Sequence, residues 1–291
     1  MSTLVMINGK ILAPEAAQVS VFDRGLLYGD SVFETLGTYG GKVFAVAEHI
    51  RRLRRSASLV YIDLLPSDEE ISAEIAEAVR VANNPESYVR VTVTRGSGEL
   101  GLDPALAVAP QRIIIVTALH RPKPKSYEDG VTAITFRTQR TTDDTPATGA
   151  KVGNYLVAVL AMKQAKPVGA NEALIVDGAG HIVEGATSNV FIVKAGKVIT
   201  PHENAGILCG ITRAVVLNAA EREGLVVEFA RPSVADVLSA DEVFITSSIR
   251  QMLAIVRIDS TDIGTRKPGP IYRRLEKRFH EVVCDWMAKE A

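Results

Sequence analysis

Cysteine is scarce in this 291-residue chain. The two present, Cys209 and Cys284, are too few for a disulfide framework, and neither has a Cys or His at zinc-binding spacing beside it. No metal site is expected. An excess of charge of one sign is also missing: 33 Lys and Arg against 34 Asp and Glu leave a formal net charge of −1. No basic block exceeds a few residues, so nucleic acid and a membrane surface are not expected as main partners. Nothing approaches the run of about 18 apolar residues that a membrane span needs. The start, "MSTLVMINGK", lacks the charged and then apolar pattern of a signal peptide, so a cytoplasmic location is expected. Internal repeats and low-complexity tracts are absent too. What is present is an ordinary globular composition, 47% hydrophobic and 23% charged. The length suits one large domain or two ordinary ones.

"LVMINGKIL" reads as a hairpin turning at Asn8-Gly9, and "SVFETLGTYGGKVFAV" as a second one turning at Gly40-Gly41. "EHIRRLRRSASLV" has helical spacing. Ser67 followed by Glu70 is a capping signature ahead of "ISAEIAEAVRVA". "YVRVTVTRG" alternates with period two, and "RIIIVTAL" reads as a buried strand. Residues 1–120 thus form a small α/β domain. "HRPKPKS" is Pro-rich and polar, so 121–127 is the expected linker. A larger domain over 128–291 follows. It opens with a strand, "VTAITFRTQRT", and a buried helix, "NYLVAVLAMKQA". A strand meander with glycine turns runs from "EALIVD" to "KVITP". Then come the helix "GITRAVVLNAAEREGL", the strands "DEVFITSS" and "MLAIVRID", and a terminal helix. The fold class is α+β in two domains, and a small-molecule site between them is the natural expectation.

The chemistry starts from "TGAKVGNYL". Lysine is ordinarily a solvated residue, yet Lys151 stands where a strand ends and an apolar helix begins. One reading is a surface lysine at a helix start. The other is a partly desolvated lysine whose neutral amine attacks a carbonyl. Pyridoxal phosphate is the commonest such carbonyl partner. It also needs a phosphate cradle, a carboxylate for its pyridine nitrogen and a group near its phenolic oxygen. Gly206 and Gly210 precede a helix opening at Ile211-Thr212, and helix N-termini bind phosphate. Glu184 in "HIVEGATSNVF" can face the pyridine nitrogen, or else be a turn glutamate. Tyr155, four residues after Lys151, shares its face if the helix has begun there.

Taken together, "DRGLLYGDSVFET" (23–35), "EHIRRL" (48–53), "YVRVTVTRGSGELGLDP" (88–104), "KVGNYL" (151–156), "EALIVDGAGHIVEGATSNVFIV" (172–193), "GILCGITRAVV" (206–216) and "DEVFITSS" (241–248) resemble the class IV aminotransferases, the fold-type IV pyridoxal-phosphate enzymes. The stretches span nearly the whole chain in the family's order. The resemblance implies a cofactor at the domain interface and a homodimer in which a loop of the neighbouring subunit completes each site. Lys151 matches the Schiff-base lysine and proton carrier, and Glu184 the pyridine-nitrogen partner. Arg52, in the His-x-x-Arg-Leu pattern, matches the phosphate-binding arginine, which leaves Arg51 solvated. Ile211, Thr212 and Ser248 match phosphate contacts, with Ser247 beside them. Tyr155 and Asn189 fall near the ring.

The implied reaction moves an amino group between an amino acid and a 2-oxo acid. Tyr28, Phe33, Tyr88 and Arg90 match substrate-facing positions. Where branched-chain enzymes read Gly-Thr-Ala, this chain has Ser247-Ser248-Ile249, followed by Arg250. "YGDSVFET" is nearer the D-amino-acid members, yet the arginine and histidine those enzymes place after "TRG" are replaced by "SGELGL". The motifs are therefore mixed, with D-amino acids slightly favoured over branched-chain L-amino acids. The substrate carboxylate is assigned first to Arg90, then to Arg250 or Arg24. A period-two strand puts Arg90 on one face with Tyr88 and Thr92; the alternative for Arg90 is a structural pairing with a carboxylate such as Glu34. An (R)-amine transaminase, an aminodeoxychorismate lyase and a cofactor-binding module without turnover remain the rival readings.

Overall fold

The computed structural model describes residues 2–64, 66–138, 145 and 147–289. The chain separates into two compact units, one of Met1–His120 with Thr145–Tyr155, the other of Arg121–Asp144 with Leu156–Ala291.

The first unit contains β1 (Leu4–Ile7), β2 (Lys10–Leu12), α1 (Arg24–Tyr28), β3 (Ser31–Tyr39), β4 (Lys42–Val43), α2 (Val46–Leu59), α3 (Asp68–Ala82), β5 (Ser87–Thr94) and β6 (Gln111–Ala118). Among the described residues its sheet runs β2-β1-β6-β5-β3-β4, antiparallel throughout. Both expected hairpins form. Asn8 (φ 49°) and Gly9 (φ 82°) take the left-handed conformation that a tight hairpin turn requires. The Ser67–Glu70 capping box closes in both directions and starts α3. Helices α2 and α3 cover one face of the sheet. Ile50, Leu53, Ile71 and Ile75 pack there on Val32, Leu36, Val89, Val91 and Ile114. Because the helices of this unit take one face only, β6 is not buried through and through as expected. Ile114 and Val116 are buried, while Ile113 and Ile115, alternating with them, are half-buried.

The second unit contains α4 (Pro124–Asp129), β7 (Val131–Arg137), α5 (Leu156–Ala165), β8 (Glu172–Val176), β9 (Ile182–Gly185), β10 (Asn189–Lys194), β11 (Lys197–Pro201), α6 (Ile211–Arg222), β12 (Val227–Ala230), α7 (Val234–Leu238), β13 (Glu242–Ser247), β14 (Gln251–Ile258), β15 (Thr261–Asp262) and α8 (Pro270–Lys289). Its mixed sheet runs β12-β11-β10-β13-β14-β7-β8-β9 among the described residues, with β15 on β14. The expected meander breaks after β9. The amide of Gly185 donates to the Ser188 carbonyl (2.7 Å), turning the chain, so β9 pairs with β8 whereas β10 pairs with β11 and β13. The strand expected over "VTAITFRTQRT" is β7; its residues from 139 on lie outside the described residues.

Three expectations need correction. Residues 121–127 are not a free linker. They belong to the second unit, where Arg121 donates to the Ile249 carbonyl (2.9 Å) and Tyr127 to that of Arg250 (3.2 Å). Conversely, Thr145–Tyr155 belong to the first unit, because the backbone around Lys151 docks on the outer edge of β3. Finally, α5 is not a buried helix. It buries its small residues Ala161 and Ala165, while Leu156 (63% exposed), Val159 (61%) and Leu160 (50%) face outward.

Candidate active site

In the first unit, three backbone contacts hold Lys151. Its amide donates to Ser56 Oγ on α2 (3.0 Å) and its carbonyl accepts from Phe33 (2.9 Å), while the next residue, Val152, bridges to Val32. The approach is close. Gly153 donates to the Ser31 carbonyl (2.7 Å), and a Cβ on Gly153 would lie 2.1 Å from Ser31 Oγ. The side chain then runs along β3. Lys151 Nζ sits 4.6 Å from the Phe33 ring centre and donates to Tyr155 Oη at 3.1 Å. Tyr155 stands edge-on to Phe33. It precedes α5, so helical spacing does not bring it to Lys151; the bend at Gly153 does. Both side chains are half-buried.

Phe33 lies on the sheet face opposite the helices, with Tyr88, Arg90 and Thr92 half-buried on the same face. The Arg90 guanidinium stacks on the Phe33 ring at 3.7 Å, and its Nε–H donates to Thr92 Oγ1 (3.2 Å). Among the described residues no carboxylate pairs with Arg90. Glu34, the alternative partner, points to the other face, where Arg52 and His49 of α2 engage it. Arg24 is committed elsewhere: its Nε–H donates to Asp30 (3.1 Å) and its Nη groups to the carbonyls of Gly101 (2.8 Å) and Leu102 (3.3 Å). Tyr28, exposed, lies under the Arg24 guanidinium and accepts from the Gly101 amide (3.2 Å). Arg51 is exposed.

In the second unit, Glu184 is half-buried near the end of β9 and accepts from the Leu208 amide (3.2 Å). Asn189 opens β10, and its amide donates to the Leu208 carbonyl (2.8 Å). The same stretch leads into α6, whose N-cap is Gly210. No side chain caps this helix, and a Cβ on Gly210 would lie 2.1 Å from Asn189 Oδ1. Ile211 and Thr212 are its first residues. Glycine is required here because the backbone passes so close to Asn189. Ser247 ends β13, and Ser248, Ile249 and Arg250 form the turn to β14; all four are half-buried. Arg250 is engaged within its own unit: its Nη2 donates to the fully buried carboxylate of Glu172 (2.6 Å) and to Thr187 Oγ1 (2.8 Å). Ser188 Oγ donates to the same Glu172 oxygen (2.7 Å). A second carboxylate there would have to compete with a fully buried one.

Sequence reasoning overlooked Glu172, Ser56, His49, Arg121 and Tyr127. Glu172 carried a signal, a carboxylate at the head of the apolar run "EALIV". So did His49, one helical turn from Arg52.

A family model, amino-transferase class IV, matches residues 31–258. A Methanocaldococcus jannaschii protein named "Putative branched-chain-amino-acid aminotransferase" is 40% identical over 285 residues, covering 98% of each chain. The D-alanine aminotransferase of Bacillus licheniformis is 31% identical, over 98% of this chain and 99% of its own. Among solved structures, the branched-chain amino acid aminotransferase of Escherichia coli superposes with a TM-score of 0.91, at 29% identity, over 96% of this chain and 94% of that one. Another branched-chain amino acid aminotransferase, solved with pyridoxamine 5′-phosphate, superposes with a TM-score of 0.90. That match has 30% identity and covers 96% of this chain and 93% of the other. This chain belongs to the class IV aminotransferases. It is a transaminase, and its class uses pyridoxal 5′-phosphate. The residues present fit that group. They offer a half-buried lysine amine against a tyrosine hydroxyl, and an uncapped, glycine-entered helix N-terminus.

Proposed function

We propose that the chain transfers an amino group from an α-amino acid to a 2-oxo acid, with Lys151 as its catalytic residue and Arg90 as the group that binds the substrate carboxylate. Bound pyridoxal phosphate supplies a carbonyl for the amine and a sink for the electrons released at Cα. Lys151 Nζ, beside Tyr155 Oη, would anchor the cofactor, then take the Cα proton and return it one bond further on. Glu184 would hold the proton on the pyridine nitrogen. Arg52, the α6 N-terminus at Ile211-Thr212, and Ser248 with Ser247 would hold the phosphate. Asn189 and Tyr155 would flank the ring. Tyr28, Phe33, Tyr88 and Ile249 would shape the substrate pocket.

The observation that carries the substrate assignment is the difference among three arginines. Arg24 is bound to Asp30 and two carbonyls, and Arg250 to Glu172, while Arg90 lies over the Phe33 ring and, among the described residues, meets no carboxylate. Branched-chain amino acids are the donors we adopt, in keeping with the 40%-identical relative. D-amino acids, slightly favoured by "YGDSVFET", are the second reading, supported by the D-alanine aminotransferase likeness. Against them stand "SGELGL" and the engagement of Arg250. A half-reaction screen separates the two. Cofactor absorbance is followed with paired L- and D-amino acids and an (R)-amine, and bleaching by the L-branched-chain members first is the expected result. Bleaching by the D-series alone would reverse the choice. Pyruvate release without an added 2-oxo acid would point to a lyase.

We also propose a homodimer. The apolar residues exposed on α5, and Val21, Phe22, Leu26, Leu100 and Leu102 of the first unit, are side chains that a partner subunit would cover. A monomeric mass in solution would contradict it. Among the described residues no helix is long and apolar enough to cross a membrane.

A further inference from the structure

A carboxylate lies beneath α2 with no role in the reaction as proposed. Glu34 occupies the core-facing side of β3 and is 1% exposed. Two α2 side chains one turn apart converge on it. Arg52 donates Nε–H to Oε1 and an Nη2–H to Oε2, both at 2.7 Å, and His49 Nδ1 meets Oε2 at 2.7 Å. The surroundings are apolar: Leu53 and Ile50 of α2 and Val32 and Leu36 of β3 are buried. Burying an ion this deeply is costly, and a carboxylate that served only packing would be replaced by an apolar residue at little loss. What the carboxylate adds is geometry. A two-point fork on the Nε–Nη2 edge fixes both the plane and the direction of a guanidinium. The planar group then presents its Nη1–Nη2 edge in a single direction, away from Glu34. His49 completes the clamp. Burial holds its pKa below the ordinary value, which favours the neutral ring donating Nδ1–H to the carboxylate.

We propose that Glu34, backed by His49, is a positioning residue that aims the Arg52 guanidinium at the cofactor phosphate. This rests on the reading of Arg52 as a phosphate ligand. Two effects oppose each other at this site. The Glu34 charge weakens the attraction of Arg52 for an anion, while the fork removes the orientational freedom that Arg52 would otherwise lose on binding. Orientation dominates because the amide of a Glu34→Gln side chain cannot replace the fork. Its NH2 would face the Arg52 donor, leaving a buried N–H unpaired and forcing the guanidinium aside.

The test uses the full chain, freed of cofactor and titrated separately with pyridoxal 5′-phosphate and with pyridoxal, which lacks the phosphate. Glu34→Gln should weaken pyridoxal phosphate by about 10- to 100-fold, the range known for residues that orient metal ligands. Pyridoxal affinity should not change. Combined with Arg52→Ala, Glu34→Gln should add no further loss. Glu34→Asp keeps the charge but shortens the arm, and should show a smaller loss of the same selectivity; it carries the test if Glu34→Gln does not fold. Equal losses for both ligands would make Glu34 merely structural. Tighter pyridoxal phosphate binding would mean that the carboxylate only damps charge. Either result overturns the proposal. If Arg52→Ala itself leaves the ratio of the two affinities unchanged, the phosphate reading of Arg52 fails, a result distinct from an intact Arg52 effect that is insensitive to Glu34.

Discussion

Arg90→Leu separates substrate recognition from scaffold. The substitution removes a half-buried guanidinium that stacks on Phe33 at 3.7 Å and donates to Thr92. Leucine keeps apolar cover on the ring, so packing should change little. A carboxylate left without its cation in a desolvated pocket costs about 2–5 kcal/mol. Arg90 is not fully buried, and water can partly replace it. The lower half of that range is therefore expected, about 2–3 kcal/mol, or about 30- to 150-fold in kcat/KM. The assay compares an L-branched-chain amino acid, a D-amino acid and an (R)-amine without a carboxylate in the first half-reaction. Both amino acids should fall by that factor and the amine should be spared. The stack and the Thr92 bond predict that Arg90→Lys recovers only part of the loss, since an ammonium cannot form a two-point fork. Equal losses for all three substrates would refute the reasoning, leaving Arg90 a structural residue of β5.

Glu184→Gln should retain the cofactor yet slow proton abstraction by about 30- to 150-fold, the value of one charge-assisted hydrogen bond of about 2–3 kcal/mol; single-turnover kinetics check it, and unchanged rates reject the role. Gly153→Ala places a Cβ 2.1 Å from Ser31 Oγ and should destabilise the chain by about 1–3 kcal/mol in urea unfolding, with Ser31→Ala restoring most of the loss. Acid should unfold the protein partly through Glu34. Burial alone would raise its pKa, but the charge and hydrogen bonds of Arg52, with those of His49, outweigh burial and bring it from 4.5 to about 2. The folded state then binds fewer protons than the unfolded state. The stabilisation, on the order of 3 kcal/mol, is complete above the unfolded value and drains away as the pH falls toward 2. His49, held low by burial, adds to the loss in the same direction below its ordinary value. Urea unfolding compared at about pH 6 and about pH 3 should show a flatter pH dependence for Glu34→Gln than for the parent chain.

Periodicity and turn chemistry were legible where local physics decides. Asn8-Gly9, Gly40-Gly41 and the Ser67–Glu70 box each contain their own instruction. So does the alternation that puts Tyr88, Arg90 and Thr92 opposite Val89, Val91 and Val93. Burial was less legible. "NYLVAVLAMKQA" and "RIIIVTAL" are apolar enough for a core, but the number of faces covered depends on tertiary neighbours, and α5 and β6 are covered on one side. The position of Lys151 in the first unit was hidden because one isolated bridge and a few loop bonds to β3 leave no periodic trace. Ion pairs were the least legible. Arg24, Arg52, Arg90 and Arg250 look alike in a sequence, and only their long-range partners distinguish them: Asp30, Glu34, the Phe33 ring and Glu172.

The central claim is that Lys151 is the cofactor lysine, and borohydride reduction of the purified holoenzyme tests it most directly. Reduction should fix the cofactor irreversibly, and peptide mapping should find the phosphopyridoxyl group on Lys151 alone. Lys151→Ala should abolish the adduct while the folded chain persists. The adduct on any other lysine, or its persistence in Lys151→Ala, would contradict the account.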